Sequence, residues 1–254
     1  MYPYRAWSEE TADLVTFEVR VRETDLLVRL GIPEDVSSLR RRVESLVREV
    51  RRGLEAYLAL DPAFRTALTP HPVPLHAPAL VRRMAQAGAA AGVGPMAAVA
   101  GAIAAEVGER LLRETPEVFL ENGGDLYLAS RRPVTVAVFA GKSPFTGLLG
   151  LRLKPEALPA GVCTSAGTVG PSLSFGTADA AVIVAGDAAL ADAVATATGN
   201  RVRSTADLQA AADWARGVPG VTGAVLVKDD HLAVAGEVEL VRLTGRSAAD
   251  RPTS

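Results

Sequence analysis

Residues 121–125 of this 254-residue chain are Glu-Asn-Gly-Gly-Asp and stand between two short apolar runs. Paired glycines let a ligand approach the main chain, and Asn122 and Asp125 carry groups that hydrogen-bond the sugar or ring of a nucleotide. A flavin or another nucleotide is therefore one expected ligand. Gly123 and Gly124 are equally suited to a two-residue hairpin turn, so a simple chain reversal stays open as the alternative.

Residues 161–170 are a second stretch of small and hydroxyl-bearing residues, GVCTSAGTVG. We expect a loop between strands, in which backbone amides and the hydroxyls of Thr164, Ser165 and Thr168 cradle phosphate oxygens. The stretch lacks the lysine of a P-loop. Cys163 has no histidine near it in sequence, which favours a small buried residue over a nucleophile.

Asp192 and Thr196 are four residues apart in a stretch with helical character, so they project from one helix face. A carboxylate and a hydroxyl are hard oxygen ligands suited to magnesium, which would complete its shell with water and substrate phosphate. In the alternative interpretation, Asp192 is a first-turn charge favoured by the helix dipole, and Thr196 is simply packed.

The elements that position these residues begin with an alternating strand over 15–21 and a second strand over 26–30, which together form a hairpin. Pro33 then starts a long helix with an apolar stripe, and the four prolines of 69–78 predict a loop. Residues 85–105 carry no charge and are long enough to cross a bilayer. Because they are mostly alanine and glycine, we predict two buried helices meeting at a tight turn, with Gly88 and Gly92 permitting close approach.

The second half predicts strands at 118–120, 126–128, 134–139, 148–153 and 180–184. Helices are expected at 188–198 and 205–216, and final strands at 224–227 and 232–243. Strands and helices segregated in this way predict an α+β fold, with sheets covered by helices on one face.

The net charge of −2 comes from 27 basic and 29 acidic residues, so no overall field draws the chain to nucleic acid or an anionic membrane. A local cluster of arginines alternates with an apolar stripe, which favours a solvated helix face over an RNA-binding face. Its members are Arg40, Arg41, Arg42, Arg48, Arg51 and Arg52.

The cysteine content and residues 1–10 indicate the cellular compartment of the protein. Cys163 is the only cysteine, so no internal disulfide can form, and a reducing compartment fits. Residues 1–10 contain Arg5, Glu9 and Glu10 and no apolar stretch typical of a signal peptide. We therefore expect a cytoplasmic protein.

The order of the motifs resembles that of the ApbE family, flavin transferases that use magnesium and FAD to attach FMN to a threonine or serine of a target protein. The shared motifs are Gly-Ala-Ile-Ala at 101–104, Asn-Gly-Gly-Asp at 122–125, Thr-Ser-Ala-Gly at 164–167, and the pair Asp192 and Thr196. An even closer likeness is to an uncharacterised ApbE-like family, through residues 17–19, 23–27, 95–103 and 172–176. This likeness runs from about residue 15 to about residue 241.

The resemblance implies a tandem, T-fold-like α+β arrangement of antiparallel sheets packed against paired helices. It also implies one domain over 1–254, divided into two structural repeats at about 13–115 and 116–243. T-fold-like proteins often join sheets edge to edge, so a homo-oligomer is expected by fold analogy, alongside an acceptor protein.

The resemblance further implies roles for individual residues. Magnesium would be held by Asp192, Thr196 and the backbone carbonyl of Ala102. FAD would contact Asn122, Gly123, Gly124, Asp125, Thr164, Ser165 and Gly167. Two departures, Ala105 in place of a polar flavin contact and Pro171 in place of a histidine, favour the alternative of a flavin- or nucleotide-binding protein that does not react.

Overall fold

The computed structural model describes residues 14–167 and 176–243, and within these ranges the chain forms eleven strands and six α-helices. The first elements are β1 (Val15–Val21), β2 (Thr24–Leu30), α1 (Val36–Leu60), α2 (Pro62–Thr66), α3 (Ala79–Ala91) and α4 (Val99–Leu111). Six strands follow: β3 (Val118–Asn122), β4 (Asp125–Ala129), β5 (Val134–Ala137), β6 (Leu149–Leu153), β7 (Ala160–Ser165) and β8 (Ala180–Ala185). The last elements are α5 (Ala188–Gly199), α6 (Leu208–Arg216), β9 (Val221–Lys228), β10 (His231–Gly236) and β11 (Glu239–Arg242).

Eight strands form one antiparallel sheet in the order β1-β2-β3-β4-β7-β8-β9-β10, and β11-β6-β5 form a smaller sheet. Successive side chains of a strand point to opposite faces, so the large sheet contributes to two cores. One core lies between the large sheet and the helices, and the other lies between the two sheets. The predicted α+β class, with helices covering one face of a sheet, is confirmed.

The long helix α1 buries the apolar stripe that predicted it, including Leu39, Val43 and Val47. It begins at Val36, because the side chain of Asp35 accepts the N–H of Ser38 at 2.9 Å and caps the helix. The arginine-rich face of α1 is engaged in ion pairs: Arg48 contacts Glu44, and Arg51 contacts Glu23 and Glu55.

The uncharged stretch 85–105 forms the end of α3 and most of α4, two buried helices joined by a tight turn, as predicted. Gly88 does permit close approach, since a Cβ there would lie 2.9 Å from the carbonyl oxygen of Val93. Gly92 serves a different purpose from the one predicted: it has open space around it, and its φ of +72° requires glycine.

Among the described residues, no single helix has the length and apolar character needed to cross a membrane. Within 14–167 and 176–243, only the pair formed by 79–91 and 95–111 has both properties, and that pair is bent by 105°.

The loop predicted at 161–170 is wrong over its first half, because residues 161–165 belong to β7. Gly161 is needed in this strand, since a Cβ there would lie 2.3 Å from Cα of Ala188 on α5. The small residues therefore allow a helix to lie close to the sheet. Thr168, Gly170 and Pro171 lie outside the described residues, as do 172–175 of the closer family likeness.

Two boundaries in the last part also differ from prediction. The strand expected over 232–243 divides at Gly236, where φ is +83°, and its two parts, β10 and β11, join different sheets. The helix expected from Thr205 begins as a short 3₁₀ turn, capped reciprocally by Ser204 and Asp207, before α6 starts at Leu208.

The contact between α5 and β7 predicts that Gly161→Ala destabilises the protein. The added methyl group would overlap Ala188, and overpacking of this kind costs about 1–3 kcal/mol. Gly186→Ala is the matched control, because a Cβ at Gly186 meets nothing within 4 Å. Urea unfolding measures both variants, and equal midpoints for the two would contradict the predicted close approach.

Candidate functional site

The side chain of Asp192 crosses from α5 to the first turn of α4. Its Oδ2 accepts the backbone N–H of Gly101 at 2.9 Å, and the N–H of Ala100 also hydrogen-bonds this carboxyl. These amides lack partners within their own helix, so Asp192 supplies the acceptor that the start of α4 needs. Asp192 is the fifth residue of α5, so it caps the neighbouring helix and is not a first-turn charge of its own.

Close packing of the two helices makes this contact possible. A Cβ at Gly101 would lie 2.2 Å from the carbonyl oxygen of Ala188 and 2.9 Å from Cβ of Asp192. Any larger residue at 101 would therefore push α5 away from α4. The glycine of the Gly-Ala-Ile-Ala motif therefore allows α4 and α5 to pack closely, because it has no side chain.

Asn122 connects the β3–β4 turn to the same helix end. Its Nδ2 donates to the carbonyl oxygen of Ala100 at 3.1 Å, while its Oδ1 accepts the N–H of Asp25 at 3.4 Å. Gly123 and Gly124 have φ of +66° and +106° and form the two-residue turn between paired Asn122 and Asp125. The hairpin interpretation is therefore correct, and the turn also brings an amide side chain to the start of α4.

Asp125 begins β4 and is only 9% exposed. Pairing of β4 with β7 places it beside Cys163, whose thiol hydrogen-bonds its carboxyl together with the N–H of Thr164. Its Oδ1, however, is buried without a hydrogen-bond partner among the described residues. An oxygen in that position is costly unless something binds it.

Burial raises the pKa values of both acids of this pair. Burial raises the pKa of Asp192 to about 7, although hydrogen bonds from the N–H groups of Gly101 and Ala100 act to lower it. Burial raises the pKa of Asp125 well above its ordinary value, and the negative charge of Asp192 raises it further. Asp192 is the first of the two to ionise, because backbone N–H groups stabilise its charged form.

Cys163 is fully buried, as predicted, and its Sγ lies 3.4 Å from the carbonyl oxygen of Ala188. Burial raises the pKa of the thiol well above its ordinary value, and the charges of Asp125 and Asp192 raise it further. A thiolate nucleophile is therefore disfavoured at this position.

The hydroxyl groups of the predicted phosphate loop lie on opposite faces of β7. Thr164 and Ser165 are successive strand residues, so their hydroxyls point to opposite faces of the sheet. Ser165 shares the helix-facing side with Cys163 and lies at the end of α5, where a Cβ on Gly199 would be 3.3 Å from its Oγ. The N–H of Gly167 donates to the carbonyl oxygen of Ala178 at 2.8 Å.

The other two predicted magnesium ligands lie on the helices that Asp192 connects. Thr196 is half-buried on α5, one turn after Asp192. Ala102 is fully buried on α4, directly after Gly101, and helix geometry directs its carbonyl along the helix axis. The structure therefore brings Asn122, Asp125 and Asp192 together at the start of α4, and the full ligand set remains a prediction.

The donor chemistry of this cluster suits a hard divalent cation. Two buried carboxyl groups, one with an unpartnered oxygen, are the kind of ligand that magnesium takes from proteins. No group of three or more histidine, cysteine, aspartate or glutamate side chains within 14–167 and 176–243 could hold a metal ion. A cation here would therefore draw its remaining ligands from water and phosphate, as magnesium commonly does.

The raised pKa of Asp192 predicts that the free energy of unfolding depends on pH. Asp192→Asn removes the titrating group but keeps an acceptor for the N–H of Gly101. The carboxyl titrates at about 3.9 in the unfolded chain and at about 7 when folded. Between these values folding takes up a proton, so the contribution of Asp192 to stability falls as pH rises and levels off above about 7. Urea unfolding in chelator should show wild type losing stability relative to the variant across this range, and a constant difference would contradict the assignment.

Comparison with known proteins places this site in a family context. The profile of a family described as "AbpE bacteria" matches residues 5–228. A UPF0280 protein of Methanocella arvoryzae is 44% identical over 224 residues, covering 88% of this chain and 89% of that protein. A UPF0280 protein of Methanocaldococcus jannaschii is 38% identical over 234 residues, covering 89% and 93%.

Two solved structures share the fold. The apo flavinyl transferase ApbE of Pseudomonas stutzeri has a TM-score of 0.55 at 13% identity, over 87% of this chain and 93% of that one. The flavin transferase ApbE of Vibrio cholerae has a TM-score of 0.50 at 12% identity, over 87% and 96%. The predicted ApbE-like fold is confirmed, and the chain belongs to the family described as "AbpE bacteria".

Proposed function

We propose that this protein binds FAD with a divalent cation, magnesium above all, and transfers FMN to a hydroxyl group of an acceptor protein. The observation that carries the proposal is the buried acid pair at the start of α4, in which Asp125 keeps a carboxylate oxygen without a partner. The solved relatives that share the fold are named as flavin transferases, which supports flavin as the ligand class.

The residues of the cluster have separate parts in this proposal. Asp192 would hold the cation while its Oδ2 stays hydrogen-bonded to Gly101, so the ligand is fixed by the start of α4. Asn122, fixed by Ala100, would orient the nucleotide at the end of β3. Thr196, Ser165, Gly167 and the carbonyl of Ala102 remain the further proposed contacts. The bound cation would neutralise the pyrophosphate as its charge develops.

The transfer step itself exchanges the phosphoanhydride bond of FAD for a phosphoester bond to the acceptor. The hydroxyl oxygen of the acceptor threonine or serine bonds to the FMN phosphorus, and the bond from that phosphorus to the bridging oxygen breaks. AMP leaves with the bonding electrons, and the hydroxyl proton passes to solvent. Catalysis of this kind depends mainly on positioning and charge stabilisation. The rigid acid pair would contribute by holding the cation that neutralises the pyrophosphate.

A second candidate is a protein that binds a flavin or nucleotide without reacting. Ala105 stands where the resemblance implies a polar flavin contact, and it is fully buried within α4 and carries no polar group. This observation favours binding without transfer. Pro171, the other departure, lies outside the described residues. A cytoplasmic location and assembly into a homo-oligomer are proposed with either candidate.

Calorimetric titration of FAD with magnesium and with chelator tests both candidates. We expect binding that requires magnesium and is weakened at least about tenfold, or about 1.4 kcal/mol, in Asp192→Ala. Asp192→Asn keeps the cap on Gly101 and separates loss of the cation from loss of the fold. Asp213→Ala, at an exposed residue of α6, is the matched control for charge.

Incubation with FAD, magnesium and a threonine-bearing acceptor then separates the two candidates. Covalently flavinylated acceptor with release of AMP supports transfer. Magnesium-dependent binding without AMP supports the non-reacting protein. Absence of FAD and nucleotide binding in every condition would contradict both.

A further inference from the structure

The second acid of the cluster, Asp125, has an oxygen that the fold does not use. Oδ1 is buried and has no hydrogen-bond partner among the described residues, while the thiol of Cys163 and the N–H of Thr164 hydrogen-bond the carboxyl group. An asparagine would accept the same N–H without carrying a titratable group. The structural contacts of Asp125 therefore do not explain why a carboxyl group stands there.

The charges that act on Asp125 give it no compensation. The charged side chains that act on its carboxyl are Asp192 and Glu121, and both are acidic. A buried carboxylate facing another carboxylate is expensive unless a positive charge neutralises both. The charged side chains that act on Asp125 include no basic group among the described residues, so a cation between the two acids would supply both the positive charge and a partner for Oδ1.

We propose that Asp125 is a further cation ligand, whose free oxygen shares one divalent cation with Asp192. This inference rests on the proposed function and extends it, because a ligand from β4 would join the one from α5. The cation would then tie together the start of α4, the β3–β4 turn and α5. The hydrogen bond from Gly101 to Oδ2 holds the Asp192 carboxyl at the start of α4, and Asp125 would bring the free oxygen to the shared cation.

Binding of Mn²⁺, followed by electron paramagnetic resonance in the presence and absence of FAD, tests the inference without any reaction. We expect Asp125→Asn to weaken Mn²⁺ binding at least about tenfold, the lower end of the loss seen even for indirect ligand partners. Asp192→Asn should weaken it similarly. Asp213→Asn should bind as wild type does, because Asp213 is exposed on α6.

Two further variants guard against a merely structural effect. Cys163→Ala disturbs the contact with Asp125 but removes no proposed ligand, so it should keep Mn²⁺ affinity. Asp125→Ser, whose hydroxyl carries no charge, should lose affinity as Asp125→Asn does. Circular dichroism and thermal unfolding verify that each variant is folded before binding is compared.

The outcomes separate this inference from the proposed function. If Asp192→Asn loses Mn²⁺ while Asp125→Asn and Asp125→Ser bind as tightly as wild type, Asp125 is not a ligand and the proposed function still stands. If wild type binds no Mn²⁺ with or without FAD, both proposals fail together.

Discussion

The arrangement of the site depends on one interaction, in which the first N–H groups of α4 donate hydrogen bonds to the carboxylate of Asp192. It satisfies amides that a helix start leaves without partners, and it does so from a neighbouring helix. The contact is possible because glycines at 101 and 161 let α5 approach both α4 and the large sheet. The alanine-rich character of the chain therefore serves to bring polar groups together across closely packed elements, as well as to fill a core.

Placing this carboxylate inside the protein has an electrostatic consequence. Burial raises the pKa values of both Asp125 and Asp192, and the charge of Asp192 raises that of Asp125 further, so protonation competes with any cation that the pair would bind. A basic partner would have formed an ion pair and avoided the free-energy cost of burying two carboxyl groups without a positive charge. Two acids and one side-chain amide at the start of a helix are groups that can bind a cation together with phosphate. The fold is shared with solved structures that are named as flavin transferases.

Local patterns predicted much of the fold. The apolar stripe of α1 and the Asn-Gly-Gly-Asp hairpin were readable because each depends on residues adjacent in the chain. The small residues of β7 predicted a loop instead of a strand. Gly161 is small because Ala188 of α5 lies close to it, and the periodicity of the sequence carries no signal of that contact. The site was predictable only in part: Asn122, Asp125 and Asp192 were identified singly, but the long-range pairing of β4 with β7 that places Asp125 by Cys163 has no local signal. The division into two repeats stays a prediction.

The most direct test of the central claim is anomalous diffraction from crystals grown with Mn²⁺ and FAD. A single cation held by the buried acid pair predicts one anomalous peak at roughly 2 Å from oxygens of both Asp125 and Asp192, with the FAD pyrophosphate completing its ligands. Bound FAD with no peak between the two acids, and the acids hydrogen-bonded to each other, would contradict the account.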